Sequence, residues 1–240
     1  MRSPSAVSFS ARAATGPVRP TCGLRSGNAF CWGHGGHGQL GITMTDSLGA
    51  THSTCPFTPV QNIYECPVPA PVLGGLSFKS LAAGWNHSCG IESSGAAHCW
   101  GVSAHGAIGT DSSHIGDFRQ PVPVAGNISF AILAGGRVHT CGLSTSGVVY
   151  CWGDNRLGQL GDGTGADRRV PAPVASTLHF SQLGGGSSHV CGVAVGGSAY
   201  CWGENQFGQI GNGTIGGRVT IPTSVVVQPA ASSSRQVPGR

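Results

Sequence analysis

The sequence predicts an all-β protein assembled from four copies of one unit, and three observations predict it. First, the chain has 240 residues, of which 41 are Gly and 15 are Pro, roughly twice their usual combined share. Such a composition favours many short strands joined by tight turns over long helices. Second, charged residues make up only 9%, too few for a coiled coil or a solvated helical bundle. Third, Trp and Cys recur at regular spacing, which argues against disorder.

The repeats are legible without gaps. Residues 87–101 read HSCGIESSGAAHCWG, residues 139–153 HTCGLSTSGVVYCWG, and residues 189–203 HVCGVAVGGSAYCWG. A fourth copy, residues 20–33, reads PTCGLRSGNAFCWG, one residue shorter and with Pro20 in the His place. Six residues after each Trp stands a second motif, beginning at Gly38, Gly106, Gly158 and Gly208, as in Gly158-Gln159-Leu160-Gly161. Each unit opens on a Phe/Leu/Ala/Gly stretch (Phe78, Phe130, Phe180 and a weaker copy from Phe9 to Gly16) and closes on a Pro/Val segment. Trp32, Trp100, Trp152 and Trp202 step by 68, 52 and 50 residues. A period near 50 indicates a propeller blade or a comparable β unit. The first step carries an insertion from Thr43 to Cys66, with its own Cys pair.

The organisation follows. Residues 1–8 read as a basic tail, 9–228 as four repeats (about 9–72, 73–124, 125–174 and 175–228), and 229–240 as a flexible C-terminal tail. The net charge is +4, but Arg2, Arg12, Arg19, Arg235 and Arg240 lie near the ends. Without them the body is near neutral, so no clustered basic footprint for nucleic acid is expected. No run of about 18 apolar residues exists, so no membrane span is expected.

The cysteines pair by geometry. Antiparallel partners have a constant sum of residue numbers. A hairpin centred on Ser146 sets Cys141 opposite Cys151, and the same construction pairs Cys89 with Cys99 and Cys191 with Cys201. A two-residue turn at Ser26-Gly27 pairs Cys22 with Cys31. Directly opposed positions bring Cβ atoms to about 4.5–5.5 Å, near bonding range. Cys55 with Cys66 completes the set, so all ten cysteines pair. Bridges of this size stabilise by roughly 3 kcal/mol each in the entropic account. They persist in oxidising compartments, so an extracytoplasmic or secreted location is expected. Residues 1–20 lack the apolar stretch of a secretory signal; a leader is expected upstream, or the chain is a fragment.

Two chemistries compete with disulfides. His87-x-Cys89, His139-x-Cys141 and His189-x-Cys191, each with a Cys ten residues on, look like zinc ligand clusters. Each unit offers at most three such ligands on two strands, whereas structural zinc wants four converging. A repeat His bonded to a neighbouring blade, beside a disulfide, is the expected reading, with no metal and no cofactor. The Asp154-Asn155 and Asp162-Gly163 pairs lack the loop spacing of a calcium site. Paired cysteines cannot act as nucleophiles, no Gly-x-Ser-x-Gly elbow occurs, and no phosphate loop stands out. The chain is expected not to be an enzyme.

The unit Gly-x-x-His-x-Cys, Gly-x-x-Tyr-Cys-Trp-Gly-x-Asn-x-x-Gly-Gln-Leu-Gly, Pro-x-Pro-Val, matched best by residues 135–174 and nearly as well by 185–225, resembles the regulator of chromosome condensation repeat family. Residues 84–124 depart from it at Ser103, in the Asn place, and Ala107, in the Gln place; the first unit has Gly35 in the Asn place. The resemblance implies a β-propeller of four-stranded antiparallel blades. Members usually have seven blades, so four repeats imply a partial or open propeller with exposed edges and possible self-association. The cysteine-paired form looks like bacterial, surface or secreted members, of the β-lactamase-inhibitor protein II superfamily.

The function implied is a non-enzymatic protein-protein interaction module, its partner unidentified. Two alternatives are a guanine-nucleotide exchange regulator of a small GTPase and a purely structural segment of a larger surface protein. Loops on a rigid scaffold carry function more often than strands do. The candidate partner-binding residues therefore lie in the 43–66 insertion and in the turns after Trp-Gly: His34 and His37, His105, Asn155 and Arg156, and Asn205, Gln206 and Phe207.

Overall fold

A computed structural model describes residues 12–13, 20–42, 65–112 and 116–227. The two tails, most of the 43–66 insertion with Cys55, and most of the opening copy from Phe9 to Gly16 lie outside the described residues. Four four-stranded antiparallel sheets follow one another along the chain, each in sequential strand order. Blade 1 holds β1 (Arg12–Ala13), β2 (Pro20–Arg25), β3 (Asn28–His34) and β4 (Glu65–Pro71). Blade 2 holds β5 (Phe78–Ala83), β6 (His87–Glu92), β7 (Ala97–Val102) and β8 (Asp117–Pro123). Blade 3 holds β9 (Phe130–Gly135), β10 (His139–Ser144), β11 (Val149–Gly153) and β12 (Arg168–Pro173). Blade 4 holds β13 (Phe180–Gly185), β14 (His189–Ala194), β15 (Ala199–Glu204) and β16 (Arg218–Ser224). Among the described residues no helix is long and apolar enough to cross a membrane.

Local chemistry explains the hairpins. Ser26 and Gly27 both take positive φ, 50° and 80°, as the tightest hairpin turn demands. That turn sets Cys22 opposite Cys31. The longer turns set Cys89 opposite Cys99, Cys141 opposite Cys151 and Cys191 opposite Cys201. All four pairs are disulfide-bonded. Cys66 is also disulfide-bonded.

The closing Pro/Val segment has a structural reason. Where the fourth strand passes each Trp, the register slips: Cys151 faces Ala172, but Gly153 faces Arg168. Pro171 lies within the slip, as do Pro121 in β8 and Pro222 in β16. A bulge leaves a position where no ladder N–H is needed, and proline supplies none.

The core lies between blades. The Cys22–Cys31 bridge packs under Phe78 and Trp100 of blade 2. Cys89–Cys99 packs with Phe130 and Trp152 of blade 3, and Cys141–Cys151 with Phe180, Val190 and Trp202 of blade 4. Trp100, Trp152 and Trp202 thus each seal the blade before them. Trp152 and Trp202 donate their indole N–H to the backbone oxygens of Ala107 and Gln159, in the Gly106–Gly109 and Gly158–Gly161 turns of the blades before them. The glycine that ends each turn lets the ring approach: a Cβ on Gly161 would lie 2.7 Å from Trp202.

Candidate functional site

Every blade has two ends. One carries the β-hairpin turns and the links between blades. The other, the Trp-Gly end, carries the loops that follow the first and third strands. Among the residues whose side chains are described, every charged one except Arg25, Lys79 and Glu92 belongs to the Trp-Gly end. Adjacent blades join there into one face. His105 Nδ1 of blade 2 lies 2.6 Å from Asp167 Oδ2 of blade 3. Arg218 of blade 4 donates to the Arg156 backbone oxygen at 2.7 Å, and Arg169 donates to that of Ser112 at 3.0 Å.

Two of the loops are built on a buried asparagine. The Asn155 side-chain oxygen accepts from the Leu160 N–H at 3.0 Å. Its amide nitrogen donates to Asp162, Thr164 and the Ala166 carbonyl. Asn205 repeats the pattern with Ile210 and Thr214. Gln159 and Gln209 close the same turns by accepting the backbone N–H two residues earlier. In blade 2 Ser103 and Ala107 replace both amides, and the loop turns through a short 3-10 segment, Ala104–Gly106, with His105 at φ 56°.

These placements correct part of the sequence expectation. Asn155 and Asn205 are 0% exposed; they hold their loops from inside and have no surface to offer a partner. Arg156, Gln206, His37 and His105 are exposed, Phe207 is 80% exposed, and His34 is half-buried. The sequence reading missed Arg137, Asp154 and Asp167, which share the face. Their signal was available: charges fall almost wholly on one side of each repeat when the copies are aligned.

A cavity of about 480 Å³ opens on this face, lined among others by His105, Arg137, Asp154, Arg156 and Ser188. Arg156 pairs with Asp154 there, and Arg137 lies over the Trp85 ring at 5.0 Å. Burial pushes the Asp154 carboxyl up, but hydrogen bonds from Arg156 outweigh it and hold Asp154 below the usual range. Asp162 behaves alike: burial raises it, and hydrogen bonds from Thr164 and Arg168 more than offset that. The ligand atoms of His105, Asp154 and Asp167 lie within 4.8 Å of one another. Asp154 is clasped by Arg156, and Asp167 also accepts the Asn155 N–H. In the His-x-Cys sets, Cys89, Cys141 and Cys191 are bonded in disulfides.

The regulator of chromosome condensation (RCC1) repeat profile matches residues 26–91, 146–193 and 196–237. A second profile of the same description matches 78–107, 129–159 and 180–209. The ultraviolet-B receptor UVR8 of Arabidopsis thaliana is 29% identical over 156 residues, 65% of this chain and 32% of the receptor. The human E3 ubiquitin-protein ligase HERC2 is 31% identical over 153 residues, 62% of this chain and 3% of the ligase. Among solved structures, yeast RCC1 (Prp20) bound to Kap60 superposes with a TM-score of 0.75 at 22% identity, covering 96% of this chain and 51% of that one. Prp20p of Saccharomyces cerevisiae, solved with a study of its binding to Gsp1p and histones, gives 0.75 at 23%, covering 96% and 52%. The chain therefore spans about half of these propellers and a third or less of the curated relatives. By its repeats, its blades and these matches, the chain belongs to the regulator of chromosome condensation (RCC1) repeat family.

Proposed function

We propose that this chain is a non-enzymatic protein-interaction module that docks its partner on the Trp-Gly face and works in an oxidising, extracytoplasmic compartment. The observation that carries the reading is the segregation of charge: one end of the blades holds nearly all of it, and the other is almost bare. Interleaved Arg and Asp side chains on a rigid scaffold select a partner by complementary charge more than by raw affinity. Yeast RCC1 (Prp20) has been solved with Kap60 bound, which supports a binding role for such propellers. Disulfides sealed between blades support the compartment, since cytosolic thiols are kept reduced.

The test is a paired surface scan. Arg137→Glu and Arg156→Glu alter the Trp-Gly face; Arg25→Glu and Lys79→Glu alter the other end. Each variant is cross-linked in the native compartment, and its bound proteins are compared with those of the unaltered chain. Loss of the same partner with the first pair alone is expected. Loss with the second pair alone, or with neither, overturns the reading.

A further inference from the structure

The sequence holds three Asn-x-Ser/Thr triplets, Asn86-His87-Ser88, Asn127-Ile128-Ser129 and Asn212-Gly213-Thr214. Such a triplet is the acceptor signal for an N-linked glycan on a surface loop of a secreted protein. The fold treats the three differently. Ser88 lies in β6, is 1% exposed and donates its hydroxyl to the Gln39 backbone oxygen. The Thr214 hydroxyl donates to Asn212 Oδ1 within its own triplet and accepts from Asn205 Nδ2. Asn127 and Ser129 are both exposed.

Asn127 stands in the link between β8 and β9, at the end of the blades that carries the hairpin turns. Blades 2 and 3 flank it, and each has its four strands. The link is pinned from both sides. Val124 and Phe130 donate their N–H groups to the Ala97 and Gly95 oxygens of the blade 2 hairpin, and the Ser129 oxygen accepts from the Thr145 N–H in the blade 3 hairpin. Ile128 packs into the core between those blades, while Asn127 and Ser129 on either side of it face solvent. The link before it has the same form: Gly74-Gly75-Leu76-Ser77 corresponds to Gly126-Asn127-Ile128-Ser129. Gly75 and Asn127 both take positive φ, 64° and 50°, a conformation that Asn tolerates better than most side chains do. A Cβ built on Gly75 would meet nothing within 4 Å, so a side chain at this place in the link projects into open space.

We propose that Asn127 is the acceptor of an N-linked oligosaccharide, an inference that rests on the extracytoplasmic reading above. The donor is an oligosaccharide carried on a lipid diphosphate. Asn127 Nδ2 bonds to the anomeric carbon of the first sugar. The bond from that carbon to the diphosphate oxygen breaks, and its electron pair leaves with the lipid diphosphate. Nδ2 gives up one of its two protons to a base of the transferase, and nothing is oxidised or reduced. The glycan then stands on the end of the blades that is almost bare of charge and leaves the Trp-Gly face open to a partner. A bulky, hydrated sugar chain solubilises a surface that has few charges of its own.

The experiment uses the whole 240-residue chain, sent through the secretory pathway of a eukaryotic cell by a cleavable leader. Secreted protein is treated with peptide N-glycosidase in heavy-oxygen water, which turns each glycosylated Asn into a labelled Asp, and its peptides are mapped by mass. Label at position 127 is expected in most molecules. Ser129→Ala should abolish that label without touching Asn127, and Ser129→Thr should keep it. Asn127→Gln should remove one glycan from the intact mass. A secreted, folded chain with unlabelled Asn127 overturns the proposal, and so does label at position 127 that survives Ser129→Ala. Location is read separately, by fractionating the cells that make the protein natively. Labelled Asn127 together with a cytosolic native chain upholds the acceptor site and overturns the compartment alone.

Discussion

His87 Nε2 and Thr140 Oγ1 lie 2.8 Å apart across the boundary between blades 2 and 3, and both residues are buried. The Thr140 hydroxyl has one hydrogen and donates it to the Ala107 backbone oxygen. It must therefore accept from His87, which fixes that imidazole as the neutral Nε2–H tautomer. One blade further on the pattern fails. Val190 stands in the repeat position of Thr140, and neither ring nitrogen of His139 has a hydrogen-bond partner.

Thr140→Val removes this bond while keeping the shape. It should lower unfolding free energy by about 1–3 kcal/mol, because a buried donor loses its partner. Val190→Thr should act in reverse, giving His139 a hydroxyl and raising stability by about 1 kcal/mol. Urea titration of both variants checks the signs; a destabilising Val190→Thr would show that His139 cannot use the hydroxyl.

The same histidines set an acid limit. Burial lowers His87 from 6.5 to about 4. Burial first, then repulsion from His87 and His189, lowers His139 from 6.5 to about 3, with Asp154 opposing. In the unfolded chain both protonate near 6.5. The stability they contribute is therefore whole above that pH and is lost as pH falls toward about 4 for His87 and about 3 for His139. Each proton adds a slope of about 1.4 kcal/mol per pH unit. His139→Leu should remove one proton's share of that slope. Equilibrium unfolding between about pH 6 and 5 reads the difference, and a parent chain with no slope there would contradict neutral burial.

Asn155→Ala should open the loop from 154 to 167. It removes one acceptor and a nitrogen that serves three oxygens, at a cost of about 2–4 kcal/mol. Amide exchange should speed within that loop and at Leu160 while the β10–β11 hairpin stays protected. Uniform loss of protection would mean that the residue supports the blade as a whole.

Val226 and Val227 follow β16 and are 58% and 86% exposed. Uncharged, β-prone segments at a sheet edge template pairing with another chain. Self-association at micromolar concentration is expected, and Val226→Lys should reduce it in light scattering. A monomeric parent chain would remove the expectation.

The sequence alone determined the repeat, its period and the pairing of each hairpin, since a turn's length sets the register of the strands it joins. Cys141 faces Cys151 because of what lies between them, and those nine residues can be read in isolation. What depended on contacts outside each hairpin could not be read that way. Asn155 looks like a loop residue in the sequence, yet the tertiary structure puts it inside, where Leu160, Asp162 and Thr164 close around its amide. Only the packing of Trp202 and Phe180 against Cys141–Cys151 makes that bridge inaccessible. His87 and His139 share one motif but differ in partners, because a single residue some fifty positions away is Thr in one case and Val in the other. Local spacing encodes a blade; the contact between blades decides which of its side chains are buried, satisfied or open to chemistry.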